Sequence, residues 1–165
     1  MRTKALMEFC DWVDSTPLSQ AIQSHAWVVP TFQTIHILAI AAVMSSILMI
    51  NLRLLGVAGT DQPLARVSDR FRPVVWWALP LLLATGATLI IGEPARSLAN
   101  EYFQLKMLLL LTVIVLMQLF QRPLSRDPSY WEPAGGRSAR ARLLAVFSLL
   151  LWCGIVFAGR WIAYK

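Results

Sequence analysis

Hydrophobic positions along the chain gather into four long, almost wholly apolar stretches at residues 26–52, 74–92, 102–121 and 142–161. At 1.5 Å rise per residue, each crosses a hydrocarbon layer of roughly 30 Å, the first with some tilt. Between Asp14 and Arg53 the only side chains able to carry charge are two histidines. The pattern predicts an all-α integral membrane four-helix bundle occupying residues 1–165 as a single membrane domain.

The amino-terminal segment MRTKALMEFCDWVDST differs in kind. A secretory leader needs an uninterrupted apolar centre, and Glu8, Asp11 and Asp14 break this one. The segment is therefore expected to be retained. Leu6, Phe9, Cys10 and Val13 recur at helical spacing, which predicts a short amphipathic helix in the membrane interface. Thr16 followed by Pro17 predicts the cap of a second short helix reaching Ser24, so that residues 1–24 are interfacial. Cys10 and Cys153 are read as two buried thiols, neither a disulfide nor a metal pair.

Composition strengthens the membrane reading and charge orients it. The chain is 57% hydrophobic with a formal net charge of +6. Arg53, Arg66, Arg70 and Arg72 sit between the first two stretches, and Arg122, Arg126, Arg137, Arg140 and Arg142 between the last two. Basic residues near span ends remain cytoplasmic, which predicts an inner-membrane protein with both termini periplasmic. GEPARSLANEY at 92–102, whose only cation is Arg96, falls on the periplasmic side, and residues 122–140 read as a proline- and glycine-rich cytoplasmic linker. Because the cations flank spans and form no aromatic-interleaved patch, nucleic acid is excluded as a partner; the lipid bilayer is the expected one.

Polar side chains within the membrane are then the functional candidates. His36 lies roughly 14 Å into the first span by helix rise. Its neutral imidazole suits an axial position on haem b iron, and small residues such as Ala39, Gly86, Gly154 and Gly159 leave room between helices. Lys106, Arg160 and Arg96 are placed to pair with haem propionates, with snorkelling to lipid headgroups as the alternative. His25 is a second axial ligand, a ligand to a second haem, or an interfacial histidine beside Trp27; Pro30 decides whether the chain breaks between the two histidines. Lys106 is the other candidate for the position opposite His36.

Four ordered motifs, SHAWVVPTFQTIHILAI at 24–40, NLRLLG at 51–56, NEYFQLKMLLLL at 100–111 and AGRWIAY at 158–164, resemble an uncharacterised family of small bacterial four-span membrane proteins. The family's usual DLRLLG reads NLRLLG here, with Asn51 replacing the acid. More distantly, His36 followed by a third span containing Phe103, Lys106, Met107 and Leu108 is similar to the HemJ type of protoporphyrinogen oxidase and to the copper resistance protein D group. The first similarity implies haem b bound through His36 and Lys106.

Three functions follow as expectations. The first is a b-type cytochrome passing electrons between quinone and a periplasmic partner, alone, as a homodimer or within a larger oxidoreductase, with Trp76, Trp77 or Trp152 around the macrocycle. The second is a porphyrinogen-oxidising enzyme. The third is a copper-handling or assembly subunit using Met44, Met49, Met107 and Met117. No nucleophile with an adjacent base, phosphate loop or intramembrane acid pair favours hydrolysis or phosphoryl transfer.

Overall fold

The computed structural model describes residues 4–127, 130–131 and 137–164, and it is helical throughout that range apart from short connections. Four helices are long and apolar enough to cross a membrane: α3 (Val28–Leu55), α4 (Leu64–Gly92), α6 (Glu101–Arg126) and α7 (Arg137–Trp161). Two helices precede them, α1 (Lys4–Asp14) and α2 (Pro17–Ser24), and α5 (Pro94–Leu98) joins α4 to α6. A single 3-10 turn, Ile162–Tyr164, follows α7. One face of the bundle carries α1, α2, α5 and this closing turn, and is called the terminal face below; the opposite one is the arginine face.

Local chemistry sets the helix ends. Thr16 caps α2, its Oγ1 accepting from the Ser19 amide at 3.3 Å, with Pro17 in the first turn where no intrahelical N–H is needed. The chain turns at His25–Trp27, and Pro30 falls within the first turn of α3, so it removes no helical hydrogen bond. Gly56, at φ 75°, ends α3 in the left-handed conformation with its amide on the Arg53 carbonyl.

Two boundaries differ from expectation. The connection expected to run from 53 to 72 is mostly helix, because α4 begins at Leu64 and buries Leu64, Val67 and Ser68 at helical spacing. Its arginines ride on the exposed side of that added length. Likewise α6 continues through Pro123 to Arg126, and α7 already begins at Arg137. The centre of the expected linker, 128–129 and 132–136, lies outside the described residues.

In the bundle α3 and α7 are the inner members, packed on each other, while α4 packs on α3 and α6 on α7. Val43, Ile47, Ala78, Val113, Trp152 and Ile155 form a core to which all four spans contribute. α1 and α2 sit against α5 and the end of α4, joined by Ser19 Oγ donating to the Ile91 carbonyl at 2.7 Å and Gln23 Nε2 donating to the Gly92 carbonyl at 3.1 Å. Phe9 does not join the buried face of α1; it points outward against Trp12, leaving Cys10 as the buried residue. Cys153, expected to be buried, is exposed on the outer surface of α7, so one thiol and not two is enclosed.

Gly92 lets these parts meet. A Cβ there would lie 2.9 Å from Ile22 Cγ2 and 3.4 Å from Val29 Cγ2, so any side chain pushes α2 and the start of α3 away. Gly92→Ala is expected to destabilise the protein by about 1–3 kcal/mol through overpacking, read as a lowered thermal midpoint in detergent. The exposed control Ala95→Ser is expected to stay within about 0.5 kcal/mol of wild type.

Candidate functional site

The most extensive helix contact in the molecule, α3 against α4, carries the His36 site. Thr85 is 2% exposed on α4 and faces α3. Its Oγ1 lies 2.7 Å from the Leu81 carbonyl and 2.7 Å from His36 Nδ1. A carbonyl only accepts, so the single hydroxyl hydrogen is committed to Leu81 and Thr85 Oγ1 accepts from His36 Nδ1–H. An uncharged imidazole that donates from Nδ1 carries its lone pair on Nε2. This is the tautomer of a histidine that ligates a metal or takes a proton through Nε2, its orientation fixed from the other nitrogen.

Glycine lies beside the ring. At Gly86 a Cβ would stand 3.5 Å from His36 Cε1, in ordinary van der Waals contact, so α4 presents its backbone to the imidazole. Across the bundle, the Lys106 side chain of α6 lies along Gly159 of α7, with Cδ, Cε and Nζ all about 4 Å from where a Cβ would be. Lys106 is half-buried. The terminal half of the bundle thus holds His36 with Thr85 and Gly86 where α3 meets α4, and Lys106 with Gly159 where α6 meets α7.

The other candidates lie elsewhere. His25 is exposed at the end of α2, its Nδ1 donating to the Ala21 carbonyl at 3.0 Å, and it edges Trp27 with ring centroids 6.4 Å apart. It lines a surface cleft of about 460 Å³ that reaches Gly92, whereas His36 meets α4 at Thr85, seven residues or roughly 10 Å deeper. The structure does not bring the two histidines together. Arg96 pairs with Glu93 at 3.0 Å on the rim of the same cleft, and Arg160 donates to the Tyr164 hydroxyl at 2.7 Å with its guanidinium 5.0 Å from that ring. Both arginines are exposed at the terminal face.

Trp76 and Trp77 are 62% and 80% exposed and face outward from α4, so they do not surround His36; Trp152 is packed in the central core instead. The four methionines offered as soft ligands are divided, Met44 and Met117 against the core and Met49 and Met107 on the outer surface. Among the described residues no three of His, Cys, Asp and Glu converge to hold a metal ion. Thr85 is the site residue that sequence reasoning missed. A lone threonine in an apolar span reads as a helix residue bonded to its own backbone, which it also is, and its second contact crosses to a helix 49 positions away.

Replacing Thr85 by valine keeps the shape and removes the acceptor, leaving the His36 N–H unpaired in a buried setting at a cost of about 1–3 kcal/mol. In a His25→Asn background, ¹⁵N spectra of labelled histidine are expected to report the Nδ1–H tautomer. Thr85→Val is expected to move the signal toward a tautomer mixture and Thr85→Ser to restore it. An unchanged spectrum in Thr85→Val would refute the assignment.

No curated protein and no solved structure matches the chain, so the similarity to the HemJ and copper resistance groups rests on its motif residues alone. Residues 9–165 match a family of unknown function (DUF6644), and with nearly the whole length matched, four apolar spans included, the chain belongs to that family.

Proposed function

We propose that this chain is a b-type cytochrome of the bacterial inner membrane, binding haem b through His36 Nε2 and passing electrons between quinone and a partner on the terminal face. The observation that carries the reading is the His36–Thr85 hydrogen bond, which fixes the imidazole from Nδ1 and leaves Nε2 as the open donor. What supports the group is a histidine oriented by a buried hydroxyl, a glycine beside its ring, and a half-buried lysine in the same half of the bundle. Haem, when bound, supplies one-electron transfer.

The chain's own residues bind and orient. Thr85 holds the imidazole from Nδ1, Gly86 packs beside the ring, and Lys106 supplies either the opposite ligand, when deprotonated, or a charge for a propionate. Lys106 is favoured over His25 for that place because it is half-buried on a span in the same half of the bundle, whereas His25 is exposed at the end of α2. Arg160 and Arg96 line the same end of the bundle, suited to neutralising carboxylates at the membrane surface. Arginines flanking the spans at the other face support an orientation with the terminal face periplasmic.

Purified protein is expected to show a Soret band and sharp α and β bands on reduction, abolished in His36→Ala, altered in Lys106→Ala and retained in His25→Ala. A protein that stays colourless when haem precursor is supplied during expression would overturn the reading. Turnover of protoporphyrinogen would reassign the same residues to the porphyrinogen-oxidising enzyme.

Orientation is tested separately in a cysteine-free background. A membrane-impermeant maleimide is expected to label Ala95→Cys in cells with a permeabilised outer membrane. Thr60→Cys is expected to react only after the inner membrane is opened, and the reverse pattern would invert the topology.

A further inference from the structure

The arginine-face half of the bundle holds a second polar locus that the His36 site does not use. Asn51 of α3 is 4% exposed and Ser68 of α4 is 5% exposed, yet both line a small cavity of about 50 Å³ between the spans, together with Gln121 and Ser148. Asn51 donates one amide hydrogen to Ser148 Oγ at 3.3 Å. Among the described residues its second N–H and its Oδ1 have no partner, and neither has the Ser68 hydroxyl. Both residues are more than nine-tenths buried, so an unmet donor and acceptor facing this cavity favour an occupant.

The lining says what kind. No charged side chain borders the cavity among the described residues, so the lining suits an uncharged group better than an ion. An amide and hydroxyls offer both donors and acceptors, and Leu116 and Phe120 supply apolar walls. Since a water needs roughly 10–15 Å³ by this measure, the cavity takes a few waters, or one oxygen with its nearest carbons while the rest of the molecule lies outside it.

We propose that this cavity is a binding site for an uncharged oxygen, held by Asn51 and Ser68: the carbonyl or hydroxyl end of a lipid-soluble molecule, or water. It is independent of haem at His36 and stands whether or not that reading does.

The test uses the full chain in lipid nanodiscs with 2-decanone carrying a ¹³C carbonyl, followed by infrared spectroscopy. Wild type is expected to show a protein-bound carbonyl band below the frequency of the ketone dissolved in lipid, lost in Asn51→Leu and weakened in Ser68→Ala. If water is the occupant, that band is absent, and the spectrum instead carries water O–H bands that shift in H₂¹⁸O and vanish in Asn51→Leu. Ser68→Ala removes one hydroxyl without adding bulk, and far-ultraviolet circular dichroism checks that both variants keep their helices. Spectra identical among wild type and both folded variants, in both arms, would overturn the proposal.

Discussion

Everything in this molecule answers to one constraint: a hydrocarbon environment offers no hydrogen-bond partner, so each polar group must find one within the protein. The backbone meets it by becoming helix over nearly all the described length. Hydroxyls meet it by bonding back to the preceding turn, as Thr34, Ser45, Ser46, Thr88 and Thr112 do. Thr85 does this too, and because its hydrogen is then spent, its oxygen is left as an acceptor turned toward α3. The His36 tautomer is thus a consequence of how a threonine satisfies itself inside a membrane.

The same constraint explains the division of the interior. His36, Thr85 and Lys106 lie in the terminal half, while Asn51, Ser68, Gln121 and Ser148 lie in the other. Between them sits an apolar layer of Val43, Ile47, Ala78, Val113, Trp152 and Ile155, contributed by all four spans. Trp152 Nε1 is the fully enclosed side-chain polar atom left without a partner among the described residues, and it lies within that layer. The indole bears this penalty while filling the centre, where a smaller side chain would leave a void.

The four spans are legible in the chain because charge-free runs of bilayer length are rare outside membranes. The cap at Thr16 and the break before Pro30 are legible for local reasons, since a hydroxyl before proline and a proline in a first turn act within four residues. The start of α4 is masked by its arginines, which read as loop, although Leu64 and Val67 already keep helical spacing on the buried side. Thr85 and Asn51 are beyond reach for a different reason. Each acquires its meaning from a partner 49 or 97 positions away, and one chain without coordinates contains nothing that pairs them.

The apolar layer also weighs between two uses of His36. A proton relay needs polar groups or water at hydrogen-bonding intervals along its whole route, and from His36 to Asn51 along α3 the fifteen residues span roughly 22 Å. The central part of that route is the packed layer itself, beside which both serines of α3 turn their hydroxyls back to their own helix, Ser45 Oγ donating to the Ala41 carbonyl and Ser46 Oγ to the Ala42 carbonyl. Electrons carry no such requirement, because they cross a packed apolar medium without a continuous chain of donors. A single oriented imidazole bounded on one side by this packed apolar layer accords with the proposed electron carrier working from one side of the membrane.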